Sequence, residues 1–431
     1  MALSSTDLWN KYVTELTNYI TGGQFDKDNQ VICFSGNTSM IDLVNSDSEI
    51  TNYNIYGIGN SIPKSSPAYA PQGSLIGAYS SFLNYINLGG DSNPNLESQL
   101  NNAARALTTA NENFSTQSDK SWDDYQKKLK MFPDLKWPTY LQQYGSVYIA
   151  ARDAMTSAKA TYYKLLQQKS GANFKIIADA QTRVGFDGGA QDITTDNSYN
   201  MLGKADSADS KEIRLPGYHL DSAFTTAYQE WQSNSVSGIV NAAIDVSGTT
   251  TAKQYSEFGW DASIGGSCFG DFFSVFGSGS ASGQTIKQSW QSTNFNLKMS
   301  YTGLQSFKIN PYTWFEQNLI TEYKNNLLDK APNFFGKDGA LNLLPYEIIV
   351  GFEPKLELTL DNSDYSDFKD SFHSNATASL SIGPFRIGSA STSTYSEKND
   401  VSFSDETNTI TIGPIKSTLP LLLGVICSKL Q

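Results

Sequence analysis

Phe295-Asn296-Leu297-Lys298-Met299-Ser300-Tyr301 alternates apolar and polar residues through seven positions, and this stretch decides the fold. A period of two sends neighbouring side chains to opposite faces, so it reads as a strand with one apolar and one polar face. Just upstream stand Phe272-Phe273-Ser274-Val275-Phe276 and the run Gly277-Ser278-Gly279-Ser280-Ala281-Ser282-Gly283. This character fills residues 262 to 309 and returns from 374 to 427. There Ala376, Ala378, Leu380 and Ile382 alternate with Thr377, Ser379 and Ser381, and Phe385 follows. After the small residues Ser389 to Ser393, the pairs Val401-x-Phe403 and Ile410-x-Ile412 resume the alternation. No charge occurs from Phe272 to Gln284, and only Arg386 interrupts Ser374 to Ser396. Regions 236–309 and 346–412 are loosely alike, which is weak evidence of internal duplication.

Such strands can line a sandwich core or stand between lipid and water in a barrel wall. The bulk numbers narrow the partners. The 431 residues carry 31 Lys and Arg against 43 Asp and Glu, a net charge of -12. That balance argues against nucleic acid or an anionic membrane as an electrostatic partner. Only 17% of residues are charged and 12% are aromatic, the make-up of an ordered chain with a polar surface. Three cysteines, Cys33, Cys268 and Cys427, fit no zinc spacing and read as free thiols or core residues. The start, Met1 to Asp7, lacks a basic and an apolar leader region, so synthesis in the cytosol without Sec export is expected. The longest apolar run, Leu419 to Cys427, is far short of the ~20 residues of a spanning helix.

Four units are expected along the chain. Residues 1–93 hold an N-terminal amphipathic helix (Leu8, Trp9, Tyr12, Val13, Leu16, Tyr19 and Ile20 on one face), stopped at Gly22-Gly23. Short strands at 30–35 and 53–58 follow, then a helix at 73–87. Residues 94–169 keep a 3-4 apolar spacing on either side of Pro133 and Pro138, which predicts a long antiparallel helical hairpin with its second helix over 139–168. Residues 170–235 form a mixed, loop-rich connection with a helix at 221–233. Residues 236–431 form the β-rich region, with one helix at 313–329. The fold class is α+β: an elongated, β-rich body with amphipathic Gly/Ser/Thr-rich hairpins and a long helical hairpin.

Catalytic chemistry is scarce. His219 and His373 sit in no metal-binding spacing, and no nucleophile elbow or phosphate loop is present. Asp361, Asp364, Asp367 and Asp370 recur every third residue, but Tyr365 and Phe368 intervene, and a solvated turn is expected rather than a cation site. No catalytic, cofactor or metal residue is assigned. Trp260, Trp290, Trp314 and the pairs Tyr162-Tyr163, Phe272-Phe273 and Phe334-Phe335 read as core before they read as sugar-stacking surfaces.

In having uncharged Ser/Thr/Gly-rich hairpin segments joined to a helical part, the chain resembles β-pore-forming toxins. The resemblance is compositional, covers about a quarter of the chain and points to no named family. It implies a soluble monomer that binds a cell-surface receptor or membrane through aromatic loops, forms a homo-oligomer and inserts amphipathic hairpins into target-cell membranes after release. The membrane-insertion candidates are Phe272, Phe273, Val275, Phe276, Phe295, Leu297, Met299, Leu380, Ile382, Phe385, Val401 and Phe403. A non-enzymatic self-assembling, structural or ligand-binding protein is the alternative, and an enzyme the third reading.

Overall fold

The computed structural model describes residues 4–430 except 45–48, 65, 89–92, 134, 136, 171–173, 185–198, 203–212, 239–241, 248–249, 262–267, 277–294, 375–378 and 388–400. In chain order the strands are β1 (Gln30–Met40), β2 (Ser61–Pro63), β3 (Pro71–Ser74), β4 (Tyr199–Leu202), β5 (Ile213–Pro216), β6 (Tyr218–Leu220), β7 (Ala242–Ser247) and β8 (Phe273–Phe276). They continue as β9 (Asn296–Pro311), β10 (Leu343–Thr359), β11 (Ser379–Ile382), β12 (Phe385–Ile387), β13 (Val401–Ser404), β14 (Thr409–Ile412) and β15 (Leu421–Lys429). The helices are α1 (Ser5–Thr21), α2 (Glu49–Gly59), α3 (Leu75–Asn84), α4 (Pro94–Leu129), α5 (Trp137–Tyr144), α6 (Ser146–Ser170), α7 (Phe174–Val184), α8 (Ala223–Ser237), α9 (Gln317–Tyr323) and α10 (Asn362–Ser374). The α+β class holds.

Two long strands form the spine. The alternation at Phe295 to Tyr301 runs on to Pro311 as β9, which pairs antiparallel with β10 from Asn296↔Thr359 to Glu347↔Lys308. At one end β10 is flanked by β14 and then β13, and β9 by β7; at the other end β10 is flanked by β15 and then β1, and β9 by β6. The flank changes near Glu353, whose φ of 44° is left-handed and whose buried carboxylate accepts from Lys416 Nζ at 3.0 Å. Opposite this bend, a Cβ on Gly303 would stand 2.0 Å from the Trp231 ring of α8. Only a residue without a side chain lets that indole reach the sheet.

The helices differ from the sequence reading in several places, each for a packing reason. Residues 53–58 lie in α2 and are not a strand: Thr51, Ile55 and Ile58 bury one side at 4-3 spacing beside β6, β9 and β10. The expected helix 139–168 is split into α5 and α6 at Gly145, where a Cβ would meet the Leu141 backbone at 2.6 Å. Between them α5 closes the hairpin tip with an aromatic cluster in which Trp122, Tyr125 and Tyr148 pack on Trp137 at 5.1–5.8 Å. The expected helix 313–329 shrinks to α9, because Trp314 turns into the core and its indole N–H donates to Gly217 O at 2.9 Å. An unexpected helix, α7, rests on α3 and α6 through Ile177, Ala180 and Val184. The Asp361 to Asp370 series is helical, not a turn: Asp361 accepts from the Asp364 amide at 3.0 Å, and Tyr365 and Phe368 are buried.

The hairpin α4–α6 is fixed at its base. Lys169, whose side chain is 2% exposed, pairs with Glu97 and donates to Asn87 Oδ1 at 2.7 Å. Burying an ammonium is costly unless it is paired and hydrogen-bonded in this way.

Candidate functional site: the amphipathic end of the sheet

At the β7/β14 end, five strands stand in register in the order β7, β9, β10, β14 and β13. Reading across them, Val246, Leu297, Leu358, Ile410 and Phe403 form one row, and Ile244, Met299, Leu356, Ile412 and Val401 form the next. The intervening row, Asp245, Lys298, Glu357, Thr411 and Ser402, points to the opposite face, where Lys355 pairs with Glu357 at 2.8 Å. Alternation along each strand has become a sheet with one apolar and one polar face. Its rim is the row Ser247, Asn296, Thr359, Thr409 and Ser404, with the Thr359 and Thr409 hydroxyls 3.0 Å apart.

Both Gly/Ser/Thr-rich segments leave from this one rim. Residues 248–295 join β7 to β9, and residues 360–408 join β10 to β14. Their described parts fold back over the apolar face and pair with each other. β8, from the first segment, and β11, from the second, are antiparallel with Phe273↔Ile382 and Ser274↔Ser381, and β12 adds to β11. Phe273 meets Phe295 edge-on at 6.2 Å, Phe385 lies 6.3 Å from Tyr301, and Phe368 of α10 packs on Phe403 at 6.3 Å. Each segment hides the other's apolar residues and those of the sheet beneath.

Three latches hold this cover. The first is α1: Trp9 stacks on Phe269 at 4.4 Å and its indole N–H donates to Gly270 O at 2.9 Å. Farther along α1, Lys11 Nζ donates to Thr250 O and the Lys253 amide donates to Thr14 Oγ1 at 2.9 Å. Burial lowers the Lys11 pKa, and nearby Asp7 opposes that shift. The second is β1, where the Thr38 amide donates to Pro384 O at 2.8 Å and Arg386 Nε donates to Asn37 Oδ1 at 3.0 Å. The third is Asp405, in the turn between β13 and β14, which accepts from Lys369 Nζ and from the Tyr365 hydroxyl of α10, both at 2.6 Å. The Lys369 bond first, then the Tyr365 bond, hold the Asp405 pKa below the ordinary carboxylate value.

The structure brings most of the candidate residues to this one place. Phe272, Phe273, Phe295, Leu297, Met299, Ile382 and Phe385 are buried between the cover and the sheet, and Val401 and Phe403 are half-buried in β13. Val275, Phe276 and Leu380 contribute backbone to β8 and β11. The runs 277–283, 389–393 and 397–400, with Ala376, Ala378 and Trp290, lie outside the described residues. The aromatic residues Trp260, Trp314, Phe334 and Tyr162 are core and present no exposed stacking surface. Two features escaped the sequence reading. One is the α1 latch, which is built from contacts more than 230 residues apart in the chain. The other is the pairing of Val401–Ser404 with Thr409–Ile412 as a hairpin, which makes β13 the edge of the sheet.

Among the described residues no three His, Cys, Asp or Glu side chains cluster in a way that suits a metal ion, and no helix is long and apolar enough to cross a membrane. His219 lies on the surface with its ring 3.9 Å from that of Tyr312. Cys33 and Cys427 are buried in adjacent strands, Cys268 is half-buried, and all three are free thiols. Comparison with known protein families, with curated proteins and with solved structures returns no significant match.

Proposed function

We propose that this chain is a pore-forming or membrane-active protein, made as a soluble monomer, which oligomerises and extends residues 248–295 and 360–408 as amphipathic hairpins. The observation that carries this reading is the shared rim: four antiparallel strands with one apolar face, from which both Gly/Ser/Thr-rich segments depart side by side. Each segment holds more than twice the ~9–11 residues that one tilted membrane-crossing strand needs. Extended beyond the rim, the alternating stretches 376–382 and 401–403 would continue the pattern of the strands below, with apolar residues toward lipid and Ser or Thr toward water. The inner stretches, Phe272 to Gln284 without charge and Ser374 to Ser396 with Arg386 alone, support this, because Lys or Arg at mid-bilayer on the lipid face costs ~2–4 kcal/mol.

Closure follows from strand count. β7, β9, β10 and β14 alternate in direction, so β14 of one copy would meet β7 of the next in antiparallel orientation. An even number of strands per copy closes into a barrel in which every backbone group is paired, which an isolated hairpin in lipid cannot achieve. In the monomer the β14 edge is covered by β13, and α1 packs at β7. Covering an edge in this way blocks premature pairing between chains. The test is dye release from liposomes and from target cells, with the same samples run unboiled on a gel. Leakage with a ring-sized oligomer is expected. Oligomers or fibres without leakage would favour self-assembly instead, and neither leakage nor oligomer would refute the membrane-active reading.

A further inference from the structure

A second feature is a cavity of about 910 Å³ bounded by α3, α4, the β2–β3 hairpin and the loop 332–342. That size suits a small-molecule site. Its lining carries polar groups the fold does not use. Asn84, 1% exposed, accepts from Gln181 Nε2 at 3.0 Å through its side-chain oxygen, while its Nδ2 has no hydrogen-bond partner. Across the cavity on α4, the buried Oδ1 of Asn111 likewise has none. A buried donor and a buried acceptor left without partners are a costly pair, retained where something outside the fold satisfies them.

We infer that this cavity binds a neutral, polyhydroxylated ligand, the terminal sugars of a cell-surface oligosaccharide. Most polar lining groups are uncharged amides and hydroxyls, which exchange donors and acceptors with sugar hydroxyls. Of the charged ones, Glu112 and Asp338 are carboxylates, and the only ammonium, Lys337, is drawn to Asp261 at 3.9 Å. This charge balance disfavours phosphate, sulfate and acidic sugars. Ile62, Ile76 and Pro332 supply apolar wall for the C–H faces of a sugar ring. The inference rests on the membrane-active reading for its setting, since it names the receptor chemistry; no residue of segments 248–295 and 360–408 lines the cavity, and the one link to them is Lys337 to Asp261.

The experiment is an array of immobilised neutral and acidic oligosaccharides probed with the labelled full-length chain, with the free saccharide of the strongest spot as competitor. Binding to a neutral class is expected, about tenfold weaker for Asn111→Ala and lost for Thr116→Trp, which fills the mouth from an exposed helix position. Circular dichroism confirms that both variants fold. If one does not, Glu112→Ala, also on the exposed side of α4, is expected to weaken binding in its place. No binding to any spot, binding only to acidic sugars, or binding unchanged in the folded variants would each overturn the inference. The array contains no membrane, so a chain that binds sugars without releasing dye would refute the pore and leave this site standing.

Discussion

Pairing β8 with β11 joins the two rim segments, so a covalent bond there should arrest both. Ser274 and Ser381 face each other across that antiparallel pair. Directly opposed residues of such a pair have Cα atoms ~4.5–5.5 Å apart, inside the ~4.4–6.8 Å that a disulfide spans. The perturbation is Ser274→Cys with Ser381→Cys, in a Cys268→Ser background to remove the half-buried thiol. The bond would close a loop of about 100 residues, and the chain-entropy model gives ~4.7 kcal/mol of stabilisation as its upper value. Oxidised protein should therefore melt higher than reduced protein, bind its receptor normally and release no dye. Adding reductant should restore release within the same sample. Full dye release by protein that a non-reducing gel shows to be completely crosslinked would refute the idea that these segments separate to reach the membrane.

Other outcomes follow from single contacts. Gly303→Val drives a side chain into the Trp231 ring, and overpacking of this kind should cost ~1–3 kcal/mol, read as a lower melting temperature with quenched or shifted Trp fluorescence. Asp405 has a folded pKa below its unfolded value, so its contribution is present above the ordinary carboxylate pKa and is lost as pH falls through the lower, folded one. Asp405→Asn should thus lower the melting temperature at neutral pH, with the difference from wild type vanishing in acid. The native thiols should titrate in two classes. Cys268 should react with a disulfide reagent at once, and Cys33 and Cys427 only on unfolding, since both are fully buried and burial raises the Cys427 pKa well above normal.

How much was legible depended on whether the signal was local. Leu297, Met299 and Tyr301 announced a two-faced strand by spacing alone, and the 3-4 pattern from Leu100 to Phe114 announced α4, because those periods are backbone geometry. The short apolar run Ile55 to Ile58 was ambiguous between periods. Tertiary contacts with β6, β9 and β10 settled it as helix. The helix break at Gly145 was visible as a glycine, though its close approach to Leu141 depends on how α5 turns over Trp122 and Tyr125. The common departure of both segments from one rim was not readable at all. It arises from the pairing Asn296↔Thr359, made by residues 63 positions apart, and from β7 and β14 aligning to that pair. The cavity between α3 and α4 was hidden for the same reason: Asn84 and Asn111 look like ordinary helix residues until those helices meet.

The proposed rearrangement turns segments that now cover or edge the sheet into strands between lipid and water. Its most direct test is a scan of single cysteines at positions 401, 402, 403 and 404, each carrying an environment-sensitive dye, measured in buffer and on liposomes. Val401 and Phe403 share the apolar face and Ser402 and Ser404 the polar one. On liposomes a blue shift and quenching by lipid-borne quenchers are expected at 401 and 403 only, a period of two that appears with dye release. No change at any position, or an equal change at all four, would contradict it.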